Sequence, residues 1–370
     1  MTTTNFTRLT TEQKTVWSMD LWKAARNLSF INKFSGKGPG AMVQHITELT
    51  KTEKGARAVL TLVPDLEGDG VAGDRRLKGN EEAIKAYDKV IRIDQLRNAN
   101  ISEGRMAEQK SIVRFRETSR DVLSYWLADR IDQLGFLTLA GIAYSFKTNG
   151  GTRVGSDLIN LEFAADVAAP SAARVFRWNS SAGTLDAGAT NTVAAADTLS
   201  WELIVNLKAK AKDEYLRGTR ADGKERYHMF VTPQAMSKLK LDTNYLAALQ
   251  HAQKRSDSNP LFTGDFVDVD GVMIHEYRHV PNTVGAASGS KYGAGGTVEG
   301  CQILFCGAQA LGMADLGMPD WVEDEDDYEN QQAISVSKIF GFLKPRFSTL
   351  YGASAGTEQD FGVMSVYVAQ

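Results

Sequence analysis

The sequence predicts an α+β fold, and that prediction rests on a long amphipathic helical run, a capped helix set between strands, and β-rich segments that close the chain. Along the first, Arg105 to about Leu139, the residues Ile112, Phe115, Val122, Trp126 and Leu134 recur at helical spacing. Arg116, Glu117, Arg120, Asp121, Asp129 and Arg130 largely occupy the other faces. In the second, Tyr227–Val231 reads as a strand that runs into Thr232, a helix cap with Pro233 at the first helical position. Ala333–Leu343 and Phe361–Val368 supply the closing strands.

Taken in order, the chain starts with a helical pattern over Thr10–Phe34 that carries Trp17, Trp22, Phe30 and Phe34. Such large apolar groups near a terminus need a surface, either the body of the same chain or a neighbouring copy. Gly36–Gly40 lacks the spacing of a phosphate loop and reads as a hinge. Arg57–Val63 and Ala86–Asp94 are strand-like, and the polar, glycine-punctuated Pro64–Lys85 between them is too long for an ordinary turn. An extended hairpin that lies on something else fits this pattern. After the long helix, Thr148–Thr198 is rich in Gly, Ala, Ser and Thr and reads as an excursion. Trp201–Leu216 is a second helix, Phe266–Tyr277 a strand pair around Asp270-Gly271, and Gln302–Phe305 a buried strand. Cys301 and Cys306, at odd separation, fall on opposite faces of that strand, which suits packing and excludes a shared disulfide or metal clip.

The chain has 370 residues, 43% of them hydrophobic, enough for a sizeable core and about two lobes. Lys and Arg total 42 against 45 Asp and Glu, so any contact with nucleic acid must come from a local face. The first residues show no secretion signal and no apolar run reaches membrane-spanning length, so a cytosolic place of synthesis is expected.

Two motifs imitate catalytic or metal sites. His275-Glu276-Tyr277-Arg278-His279 has the spacing of a zinc hydrolase, but it follows the strand-like Val272–Ile274 and Pro281 leaves little room for a helix. In a strand, residues four apart are separated by roughly 13 Å, too far to share one zinc. Asp65-x-Glu67-x-Asp69-Gly70 opens like a calcium loop, yet Arg76 stands where the closing Glu belongs. The acidic run Glu323–Asp327 is a solvated face or meets basic groups of a neighbour. Without a nucleophile elbow or a reactive cysteine setting, no enzymatic activity, metal or cofactor is expected.

The order of parts resembles the Hong Kong 97 fold of tailed-phage major capsid proteins. The resemblance is most specific from Gly70-Val71-Ala72-Gly73-Asp74-Arg75-Arg76-Leu77-Lys78-Gly79-Asn80-Glu81-Glu82 through Val90–Asp94 and Arg97 to Gly104–Gln109. It implies an N-terminal arm (1–56), an extended loop (57–104), a peripheral domain with a spine helix (105–214, insertion at about 148–198), an axial domain (215–317) and a return to the peripheral domain (318–370). It also implies contacts between subunits through Gly70, Gly73, Asp74, Arg75, Arg76, Gly79, Asn80, Glu81 and Glu82, and arm contacts through Trp17, Trp22 and Phe30. The implied product is an icosahedral virion shell of pentamers and hexamers around double-stranded DNA, with portal and scaffold or decoration proteins as further partners and no membrane. Two alternatives stay open at this point. One is a nanocompartment shell of the same fold, which packages cargo proteins; the other is a hydrolase using His275, Glu276 and His279.

Overall fold

A single long strand, Gln331–Leu343, organises the first of two main sheets in the computed structural model. The structure describes residues 29–46, 57–62, 69–82, 87–110, 115–221, 223–251, 267–328, 330–348 and 356–370. Along one edge of the long strand lie Leu311–Asp315 and Asp320–Asp326; along the other runs Asp94–Ile101, a strand the sequence reading does not separate from the hairpin before it. Val43–Ile46 and Ser35–Gly36 extend the sheet beyond Leu311–Asp315.

The expected hairpin is present, with Arg57–Leu62 paired antiparallel to Tyr87–Arg92. Its alternation seats it: Ala58, Leu60 and Ile91 point inward onto Ala314 and Leu343, while Val59 and Val90 face solvent. Ion pairs from Lys89 to Glu358 (2.7 Å) and from Arg92 to Asp166 (3.7 Å) hold its flanks.

The helical run is observed as Arg105–Lys110 and Phe115–Ala140; Ile112 lies outside the described residues. Of the predicted stripe, Leu134 is buried and Phe115 and Trp126 pack against the core, but Val122 does not belong to it. Val122 is 51% exposed and Trp126 half-buried, whereas Leu123, Leu127 and Ile131, outside the predicted stripe, are fully buried together with Leu134. Two overlapping apolar registers exist in this stretch, and the helix turns toward the sheet the register that also continues into Leu137.

The second sheet runs Val267–Val269, Val272–Glu276, Lys224–Val231, Gly300–Cys306, Val363–Ala369, Val175–Asn179, Thr184–Ala187. It separates two cores. On one face Phe230, Leu304, Cys306 and Val363 meet the long helix; on the other Met229, Ile303, Phe305 and Val366 meet the helices Trp201–Asp213 and Pro233–Lys240. Cys301 and Cys306 belong to different cores, as their odd separation requires. Burial pushes the Cys301 thiol up to about 12 and raises Cys306 as well, which keeps both protonated and inert. The expected cap at Thr232 forms, its side chain accepting from the Ala235 amide ahead of Pro233, and Ser200 caps the preceding helix by accepting from the Leu203 amide.

The stretch read as an excursion is stitched into the body. Val175–Asn179 pairs in parallel with the C-terminal strand, and Phe176 and Trp178 enter the second core.

Candidate assembly surfaces

Residues 69–82 stand out from the body at the end of the hairpin. All are exposed except the half-buried Val71, and the hydrogen bonds described for the segment are local. The Gly79 amide donates to Glu81 Oε2 at 2.6 Å, the Asn80 amide to the Leu77 carbonyl at 2.9 Å, and Asn80 Nδ2 to the Arg76 carbonyl at 3.0 Å. Gly70, Gly73 and Gly79 hold φ values of +72°, +67° and +98°, which L side chains rarely adopt, so these turns favour glycine. Asp74, Arg75, Arg76, Glu81 and Glu82 are thereby presented to solvent on a short, turn-built segment. Leu77, 59% exposed at its centre, is an apolar group the sequence reading passes over because one Leu in a polar loop gives no periodic signal.

A second exposed surface lies at the far end of the first sheet. Ile101, Met106, Val322 and Tyr328 are all more than half exposed there, around the turn that joins Asp320–Asp326 to the long strand. The acidic run Glu323–Asp327 belongs to this tip. Glu323 accepts from Arg116 at 3.2 Å and from Trp321 Nε1 at 3.1 Å, while Asp324, Asp326 and Asp327 face solvent.

At the root of the N-terminal arm, Asp132 of the long helix is 1% exposed and gathers donors from two other parts of the chain. It accepts from Ser29 Oγ (2.7 Å), the Phe30 amide (2.8 Å), the Ile31 amide (3.1 Å) and the Tyr277 hydroxyl (2.5 Å). Phe30 lies flat on Tyr277 with ring centres 4.2 Å apart, so this arm residue packs on its own chain. Trp17 and Trp22 lie outside the described residues.

The hydrolase motif is dispersed. His275 sits in the strand Val272–Glu276 with its Nε2 3.2 Å from Nδ1 of His228, whereas His279 lies beyond the strand end with its Nε2 2.7 Å from Asp129 Oδ1. Among the described residues no group of three His, Cys, Asp or Glu is arranged to hold a metal. The calcium-like motif begins in residues 63–68, outside the described residues.

A helix packed on a long-stranded sheet, a second sheet lobe, and a hairpin that ends in an exposed turn-built loop together define a shell-forming subunit of the Hong Kong 97 type. The chain belongs to the phage capsid protein family, which it matches over residues 5–370. It is 58% identical over 368 residues to the major capsid protein of Pseudomonas phage KPP25, covering 99% of this chain and 97% of that one. Among solved structures it is similar to the capsid of Ralstonia phage GP4, with TM-score 0.75 and 26% identity over 92% of this chain and 90% of that one. The cyanophage Pam1 capsid shares the fold, with TM-score 0.68 and 19% identity over 91% of each chain. The protein is therefore a structural component of a virion that works by self-association; it is not an enzyme.

Proposed function

We propose that the loop within 57–104 lies across an adjacent copy of the chain and that Gly70, Gly73, Asp74, Arg75, Arg76, Gly79, Asn80, Glu81 and Glu82 form the seam. The observation that carries this reading is the exposure of residues 69–82 on positive-φ turns that favour glycine. A segment so built spends conformational entropy on a shape its own body does not need. Leu77 supplies an apolar anchor, and the charged groups around it supply ion pairs that become stronger once water is excluded. The tip bearing Ile101, Met106, Val322 and Tyr328 is the second contact surface, and Trp17 and Trp22 the third. Individually weak contacts let misplaced subunits leave, while their combination makes the closed shell hard to dissociate. In this reading 105–214 with 318–370 forms the peripheral domain and 215–317 the axial domain. The axial domain meets its copies in pentamers and hexamers of an icosahedral shell around the double-stranded DNA of a tailed phage. The shell is assembled in the host cytoplasm, with a portal and scaffold or decoration proteins as partners.

Arg75→Glu and Gly79→Pro are expected to leave a folded subunit with unchanged thermal unfolding while particle yield in electron micrographs falls at least tenfold. Leu77→Asp should do the same. Parental particle yield from all three variants would remove the loop from the seam.

A further inference from the structure

An open cavity of about 700 Å³ lies beside the long helix, and its walls carry Arg130, Lys147, Arg153 and Arg278 against one carboxylate, Asp129. That carboxylate is already engaged: Arg278 Nη2 donates to it at 2.8 Å and His279 Nε2 lies 2.7 Å away. The His279 hydrogen bond, opposed by burial and helped by the charge of His279 and the neighbouring arginines, holds Asp129 below its ordinary range. Arg130 and Arg153 converge on a neutral group, since both donate to Gln133 Oε1, Arg153 at 2.9 Å. Arg130 is otherwise 3.8 Å from Asp129, too long for a hydrogen bond. Lys147 is exposed and has no ion-pair partner among the described residues. Burial, and then the charge of Arg130, holds the Arg153 guanidinium below its ordinary value, and the single carboxylate Asp129 offsets this only in part.

A cavity with this excess of positive charge, in a chain whose net charge is -3, is a local concentration and not a consequence of composition. Guanidinium forks match phosphate oxygens, and Tyr125, 61% exposed on the same wall, offers a hydroxyl of the kind that contacts them. We propose that this cavity is a phosphodiester-binding site that holds the backbone of DNA without regard to sequence, through Arg130, Lys147, Arg153, Arg278 and Tyr125. Its role inside the particle rests on the reading that the shell encloses DNA. The rival occupant is the acidic tip of a neighbouring copy, whose Asp324, Asp326 and Asp327 are exposed, and particle formation by cavity variants separates it from DNA.

The test is a fluorescence-anisotropy titration of the purified, unassembled chain with a short DNA duplex of mixed sequence at several salt concentrations, with particle formation followed by electron microscopy. Lys147→Glu combined with Arg153→Glu is expected to weaken duplex binding at least tenfold and to reduce the salt slope by about two. Lys147→Gln, at an exposed and unpaired position where the fold is not at risk, should reduce the slope by about one. Both variants should form particles normally. Unchanged affinity and slope in both overturns the proposal. Unchanged duplex binding with failed particle formation also overturns it and assigns the cavity to a neighbouring subunit. If wild-type particles prove free of DNA while duplex binding depends on these residues, the enclosing role fails and the binding site stands.

Discussion

Replacing Asp132 with alanine is expected to destabilise the unassembled subunit by roughly 3–5 kcal/mol and to abolish particle formation. The carboxylate satisfies the Phe30 and Ile31 amides, the Ser29 hydroxyl and the Tyr277 hydroxyl at a site closed to water. Removing it leaves buried donors without an acceptor, and each hydrogen bond to a charged group contributes about 1.5–3 kcal/mol. The total falls short of the sum because the donors relax together. Asp132→Asn keeps the shape but turns a donor toward donors, and should lose nearly as much. Tyr277→Phe removes one donor and should cost only about 1 kcal/mol. The same joint explains a helix-interior glycine: Ile31 seats its Cδ1 where a side chain at Gly135 would stand, one turn along from Asp132. Gly135→Ala should therefore destabilise, although alanine favours a helix by about 1 kcal/mol. Urea unfolding followed by tryptophan fluorescence separates these cases. An Asp132→Ala subunit as stable as the parent would show that the arm root is not held at this point.

What could be read from the sequence follows from how far each signal extends along the chain. Clusters of aliphatic and β-branched residues mark the hairpin strands and the closing strands, and Thr232-Pro233 marks one helix start at the residue where the helix begins. The position of His275 in a strand, foreseen from the Asp270-Gly271 turn and Pro281, was enough to dissolve a tempting zinc motif. Signals that arise only from three-dimensional neighbours were not legible. Asp94–Ile101 is mostly polar and its apolar residues, Leu96, Ala99 and Ile101, fall on no single face, so its place beside the long strand shows only in the paired register from Asp94↔Phe340 to Ile101↔Ala333. The four cations of the cavity come from the long helix, the turn after it and the turn after Val272–Glu276, and form no basic run in sequence. Asp132 looks like one more polar residue on a helix until the arm root and Tyr277 are folded against it.

Lowering the pH from 6.5 toward 4 should cost the subunit several kcal/mol, and most of that loss should trace to His228 and His275. The two imidazoles share one hydrogen bond, Nδ1 to Nε2 at 3.2 Å, which needs a donor on one ring and a lone pair on the other. Phe34 closes over both, with ring centres at 5.1 and 4.9 Å, and Phe30 and Phe230 complete the wall. Burial, with Arg226 adding to it, pushes His228 down to about 4. Burial, followed by His228 and Lys33, pushes His275 down to about 3. Unfolded histidines take up protons near pH 6.5 while the folded pair stays neutral. Stability is therefore full above that pH, declines by roughly 1 kcal/mol per pH unit for each imidazole as pH falls, and levels off only below the folded values. Asp129, held below its usual range by His279, acts in a separate window: its contribution is present above about pH 4 and is lost only as pH falls further. Urea midpoints measured between pH 7 and 4.5 should then show a slope that halves in His275→Asn and nearly vanishes in the double variant with His228→Asn. An undiminished slope in the double variant would place the acid sensitivity elsewhere. The charged state has a definite structural cost, since two imidazoliums are donors on every nitrogen and cannot bond to each other. Because Phe30 and Phe34 cover the pair and Phe30 also donates its amide to Asp132, protonation acts on the segment that leads into the N-terminal arm, before it reaches either sheet.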